Sequence, residues 1–289
     1  MFGRFSRLLS LMAFAMTPVG AWAADDLPAA ERRQRSQTFH ARAQERTGLL
    51  VPLYLYPGEV RTNPAYNRLL DIKRRHETVP IWVIVNPASG PGQRVDPNYD
   101  KAIDRLTGAG CVTLGYITTG YGKRPEADVS KEIDKWLAIY PRIKGIFFDE
   151  MIYEDTEAGA KYQAGLSRYA HAVGCWPTVA NPGADTPGRY FAADAADVIV
   201  VHEGDSWPKE ERLIGDQSGG YSDHPPFTRG VLVYNQPGLD KAKLQMVRKH
   251  ARWVYVTEDV YRPGDPKAAN PWDTLSKHLD AICGQLAGP

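Results

Sequence analysis

The chain has 289 residues, a formal net charge of +1 and 43% hydrophobic residues, enough to bury one large core or two small ones. The near-neutral balance, with no Lys/Arg block interleaved with aromatics, excludes a broad basic field and argues against nucleic acid as a partner. Cys111, Cys175 and Cys283 lie far apart without C-x-x-C pairing, which fits small buried residues and not a disulfide framework, zinc ligands or a thiol nucleophile.

The first element reads as a secretory signal. Arg4 and Arg7 precede an apolar run from Leu8 to Met16, and small residues flank Trp22, so cleavage is expected after Ala23. The run is too short for the roughly 20 residues of a membrane span. Export to the periplasm or beyond the cell is therefore expected, with no stable membrane insertion after processing. Residues 24–47, rich in charge and poor in aliphatics, read as a polar leader outside the core.

From residue 48 to 289 a single domain is expected. Eight short apolar, β-branched runs follow in order: "LLVPLYLYP", "VPIWVIVNP", "CVTLGYITTGYG", "IKGIFFDE", "PTVANPG", "DVIVVHEGD", "GVLVYNQPG" and "RWVYVTED". Helical spacing with start and stop signals separates them, as in "DPNYDKAIDRLTGAG", "DVSKEIDKWLAIYP", "EAGAKYQAGLSRYAHAVG", "LDKAKLQMVRKHAR" and "PWDTLSKHLDAIC". Strand and helix in strict alternation, without a G-x-G-x-x-G turn after the first strand, predict an α/β fold of the single (β/α)8 TIM type. The helix after "PTVANPG" reads as short. The stretch "SWPKEERLIGDQSGGYSDHPPFTRG" reads as a loop over an active site. "NPASGPG" lacks the Gly-Lys-Ser/Thr of a phosphate cradle and reads as a tight loop.

In such a barrel the chemistry gathers where strands end. Strand four ends in Asp149 and Glu150, strand six in Glu203 and Asp205, and strand eight in Glu258 and Asp259, whereas the odd strands end in rings, hydroxyls and amides, among them Asn181 and Asn235. Side chains alternate along a strand, so of two adjacent acids one should reach the reacting centre and the other support it. Glu258 and Asp259 could equally be capping acids. Tyr54, Tyr116, Tyr121 and Trp207 are candidate sugar-stacking rings, Tyr121 and Trp207 above all because they fall in loops. By alternation His202 faces away from Glu203 and reads as packed or hydrogen-bonded. No metal or cofactor is expected.

The motifs "VPLYLYPG", "VIVNPASGPG", "LGYITTGYGKR", "GIFFDEM", "NPG" and "VVHEGD", in this order, resemble the spherulin 4 family, also called spherulation-specific family 4, over roughly Leu50 to Ala281. Its members resemble glycoside hydrolase family 135, whose activity is endo-cleavage of α-1,4-linked galactosamine polymers of microbial exopolysaccharide. The resemblance implies functional acids at Asp149, Glu150 and Glu203. The chain departs from the family in reading "VTED" at strand eight, where two aspartates are usual, and "VYNQ" at strand seven, where a histidine is common.

The expected function is an exported, endo-acting glycoside hydrolase on an amino-sugar polysaccharide. Asp149 would be its nucleophile, Glu203 its general acid/base, or the two exchanged, and Glu150 the support. Strands four and six are one strand apart, so their Cα atoms should be about 9–10 Å apart. Converging side chains then favour the gap of roughly 5–5.5 Å of a retaining enzyme. The alternatives are a metal-dependent hydrolase or deacetylase using Asp149, Glu203, Asp205 and His202, and a non-catalytic carbohydrate-binding barrel.

Overall fold

The computed structural model describes residues 46–215, 223–266 and 268–287, so the expected signal segment and nearly all of the leader lie outside the described residues. Eight parallel strands close in sequence order into a barrel: β1 (Gly48–Leu53), β2 (Ile81–Val85), β3 (Val112–Thr118), β4 (Gly145–Asp149), β5 (Thr178–Asn181), β6 (Val198–Gly204), β7 (Arg229–Val233) and β8 (Trp253–Val256). Between and after them run α1 (Pro64–Arg75), α2 (Pro97–Gly108), α3 (Glu126–Ile139), α4 (Glu157–Ala172), α5 (Gly188–Ala192), α6 (Glu210–Ile214), α7 (Lys241–His250) and α8 (Leu279–Leu286). The fold is the expected (β/α)8 barrel.

Strands such as Ile-Trp-Val-Ile-Val of β2 are buried along their whole length, as parallel strands covered by helices on one face and packed side chains on the other must be. The helices begin where the sequence supplies caps. Asn63 accepts from the backbone of Ala65 and Tyr66, and Asp96 from Asn98 and Tyr99, with proline opening both helices. Asp240 does the same for Lys243.

Two glycines set how closely the layers pack. A Cβ on Gly115 would stand 2.7 Å from the Trp136 indole, so glycine there lets α3 lie on β3, and the indole N–H donates to the Tyr116 carbonyl at 2.9 Å. At the seam between β1 and β8, Trp253 fills the space a Gly48 side chain would take and stacks on Trp82 at 3.4 Å between ring centroids. Trp82 is therefore core. The three cysteines are buried and unpaired.

Two expectations need correction. "PWDTLSKHLDAIC" is helical only from Leu279, because residues 271–278 follow an irregular path, held where the Ser276 hydroxyl donates to the Val256 carbonyl and the Lys277 N–H to the Glu258 carboxylate. The long stretch after β6 contains the short helix α6 and a 3-10 turn at Pro226–Thr228; its residues 216–222 lie outside the described residues. Among the described residues, no helix is long and apolar enough to cross a membrane.

Candidate active site

Asp149 is the last residue of β4 and Asn181 the last of β5, and the strand register sets them side by side. The Asn181 amide nitrogen donates to Asp149 Oδ1 at 3.0 Å and to Glu203 Oε2 at 2.6 Å. One NH2 group thus spans both carboxylates, and the bridged oxygens can lie no farther apart than those two bonds laid end to end. The other oxygens are held as well: Tyr116 OH donates to Asp149 Oδ2 at 2.8 Å, and the Trp272 indole N–H to Glu203 Oε1 at 3.1 Å.

Both acids are partly buried at the barrel mouth. Burial pushes the Asp149 carboxyl above its ordinary pKa, against the pull of the Tyr116, Glu150 backbone and Asn181 hydrogen bonds. Glu203 is raised in the same way, by burial first and by the nearby Asp149 charge, with Asn181 and Trp272 opposing. Two desolvated carboxylates kept in reach of each other by neutral donors can divide the roles of acid and base.

Glu150 leaves the strand. Its backbone is left-handed, φ 50°, which ends the alternation and turns the carboxylate to Thr118, whose hydroxyl donates to Oε2. Its carbonyl takes the Tyr121 N–H at 2.7 Å and the Thr119 hydroxyl at 2.7 Å. With the alternation broken, the adjacent acids meet hydroxyls two residues apart on one face of β3, Asp149 that of Tyr116 and Glu150 that of Thr118, and Asp149 alone reaches Asn181.

The other candidates separate. Tyr54 meets Tyr116 edge to face at 5.7 Å and lies near enough to Asp149 and Glu203 for burial, then those charges, to raise its phenol. Its sequence neighbour Tyr56 turns away to Asp96 and Asn98. Tyr121 stands exposed in the loop after β3. Trp207 is half-buried: it packs against the core with its indole nitrogen buried. Asp205 is exposed, and its carbonyl accepts from the Gln236 side-chain amide at 2.8 Å. Asn235 is exposed and left-handed at the end of β7, its N–H given to the Asp259 carbonyl. His202 is hydrogen-bonded to the Ser206 carbonyl at 2.8 Å, as expected.

Glu258 is engaged within the chain. Its carboxylate accepts the Lys277 N–H at 3.0 Å, just ahead of α8, while Asp259 accepts from the Thr274 hydroxyl at 2.6 Å and Ser276 bonds the Val256 carbonyl. The acids of strand eight are tethers for residues 272–278. That segment delivers Trp272 to Glu203, a partner sequence reasoning missed. No residue pattern marked it, because it lies in a stretch whose spacing reads as helix. Among the described residues, no three His, Cys, Asp or Glu side chains gather as a metal-holding group.

A closed (β/α)8 barrel that brings two bridged carboxylates to the carboxyl ends of its strands defines a barrel with an acid-pair site at its mouth. Residues 48–286 match the model of spherulation-specific family 4, and the chain belongs to that family. It is 32% identical to spherulin-4 of Physarum polycephalum over 187 residues, which cover 62% of this chain and 54% of that one; the chain thus spans about half the length of this relative. Among solved structures, Aspergillus clavatus Sph3 in complex with GalNAc superposes with a TM-score of 0.66 at 24% identity, covering 85% of this chain and 99% of that one. An endo-beta-N-acetylglucosaminidase from Cordyceps militaris does so with a TM-score of 0.51 at 9% identity, covering 91% and 98%.

Proposed function

We propose that the protein is an exported glycoside hydrolase that cuts within an amino-sugar polysaccharide, with Asp149 and Glu203 as its catalytic pair. The observation that carries this reading is the Asn181 amide bonded to both carboxylates. It keeps their nearest oxygens within the short range of a retaining pair and well inside the roughly 6.5–9.5 Å that an inverting enzyme leaves for water.

Asp149, which takes the Tyr116 hydroxyl and one Asn181 hydrogen, is the nucleophile, since a phenol donating to a carboxylate favours its ionised form. Glu203, raised by burial and by the Asp149 charge, protonates the leaving oxygen and then takes a proton from the incoming water. Glu150, fixed on Thr118, supports the site. The amino-sugar assignment draws on the family and on the GalNAc bound by Aspergillus clavatus Sph3. It also draws on the acids around the mouth, which suit a chain carrying ammonium groups.

The decisive test is to incubate the chain from residue 24, and its Asp149→Asn and Glu203→Gln variants, with de-N-acetylated galactosamine polymer. Shortened oligosaccharides from the parent alone are expected; an intact polymer with the parent, or equal cleavage by the variants, refutes the reading.

A further inference from the structure

The turn after β3 is unusual in its backbone. Gly120, Tyr121 and Gly122 are all left-handed, with φ of 59°, 55° and 76°. Glycine adopts this conformation freely, but a tyrosine is held there at a penalty of about 1–2 kcal/mol. Burial of the ring does not offset that penalty, since Tyr121 is 40% exposed.

The turn is nonetheless tightly fixed. Tyr121 N–H is bonded to the Glu150 carbonyl, Thr119 N–H to the Asp149 carbonyl at 2.9 Å, and the Arg124 guanidinium to the Thr118 carbonyl at 2.6 Å and the Glu132 carboxylate at 2.5 Å. A Cβ on Gly122 would stand 2.8 Å from the Ile152 side chain, so glycine lets Ile152 close on the turn. Its neighbour Tyr153, also 40% exposed, then meets the Tyr121 ring edge to face at 6.1 Å. The Tyr121 N–H bond to the Glu150 carbonyl sets the residue beside the acid that follows Asp149, and burial, then the charges of Glu150, Asp149 and Glu203, raise its phenol. A strained residue persists when its surroundings over-determine it, and such strain collects at functional positions.

We infer that Tyr121, braced by Tyr153, is a preformed stacking platform for a sugar ring of the substrate chain, forming a subsite beside Glu150 next to the ring being cut. The occupant is a hexosamine unit of the proposed polymer, its apolar face on the phenol. The inference rests on the proposed substrate class. It gives the strained turn a purpose that packing does not: Asn or Gly would fit the backbone at least as well, and only an aromatic side chain offers a flat apolar face to a pyranose.

The test separates binding from folding and from cleavage. In the Glu203→Gln background, which keeps the ligand intact, calorimetry with a hexamer of α-1,4-linked galactosamine is compared for Tyr121, Tyr121→Phe and Tyr121→Asn, alongside thermal unfolding. The expected result is an affinity about tenfold weaker for Tyr121→Asn, the effect of losing one aromatic anchor, with Tyr121→Phe unchanged and the Tyr121→Asn Tm no lower. Unchanged affinity in Tyr121→Asn, a Tm that falls together with affinity, or no binding by any form overturns the platform. Tyr121-dependent binding by a protein that leaves polymer intact would refute the hydrolase reading alone, whereas cleavage indifferent to Tyr121 would refute the platform alone.

Discussion

Glu203 is held from the far end of the chain: the indole N–H of Trp272, 69 residues onward, donates to its Oε1 at 3.1 Å. Trp272 is itself wedged between Tyr234 and Tyr255, with ring centroids 5.8 and 5.9 Å away, and its carbonyl takes the Tyr54 N–H. The donor is therefore fixed by packing before any substrate arrives.

Trp272→Phe keeps an aromatic ring in that packing and removes the N–H. A hydrogen bond to a charged group contributes about 1.5–3 kcal/mol, so kcat measured well below Tm should fall roughly ten- to a hundredfold, and Tm should fall by several degrees as the buried indole is lost. The bond lowers the Glu203 pKa, so its loss moves the basic limb of the pH–rate profile to higher pH. An unmoved basic limb would show that the indole does not act on Glu203.

Asn181→Ala removes the donor shared by the two acids. Each of its bonds opposes the upward push of burial, so both the acidic limb, set by ionisation of Asp149, and the basic limb, set by loss of the Glu203 proton, should shift to higher pH. A fall in kcat of about tenfold or more is expected from the lost charge-assisted bonds. A change in KM alone would assign Asn181 to substrate contact.

The raised carboxyls also predict a stability trade-off. A carboxyl whose folded pKa exceeds its unfolded value binds more protons in the native state between the two values. Stability is therefore greatest below the unfolded pKa and declines as pH rises through the folded one. At neutral pH, Asp149→Asn should abolish turnover yet raise Tm by about 2–4 °C, the shift that about 1 kcal/mol produces in a domain of this size. Glu203→Gln should gain less. Both Glu203 oxygens face N–H donors, and a glutamine can satisfy only one. Calorimetric melts of the three proteins across pH check the order.

The sequence carried the barrel and its two principal acids, because an apolar strand running into Asp149 or Glu203 is a local pattern. Asn181 was legible as a strand-end amide, but its bridging role depends on the distance between β4 and β6, which only the closed barrel sets. Trp272 was not legible: an irregular segment shaped by Glu258, Asp259 and Ser276 is a product of tertiary contacts. The same contacts explain why Glu258 could not be separated from a substrate ligand by position alone, since capping and catalysis both place acids at strand ends. That Trp207 leans on the core was likewise not legible, because a loop position does not say which way a ring packs.

Glu258→Gln therefore serves as a contrast. It weakens the carboxylate's hold on the Lys277 N–H without touching the acid pair, so Tm should drop by the equivalent of about 1 kcal/mol, while the hydrolysis rate measured well below Tm stays within about twofold. A loss of rate as large as that of Glu203→Gln would return Glu258 to the site.

Attraction of a cationic polymer should weaken as salt screens the acids at the mouth, with a Debye length of about 10 Å at 0.1 M. KM for de-N-acetylated polymer is expected to rise with ionic strength while that for the fully acetylated polymer stays flat. Parallel salt curves for the two polymers would exclude a role for the acids in recruitment.

The tether between strand eight and residues 272–278 also spreads responsibility for one carboxylate across the barrel: Glu203 stands on β6, its donor Trp272 lies past β8, and Glu258 and Ser276 fix the path between. Truncation anywhere before residue 272 would leave Glu203 without that grip.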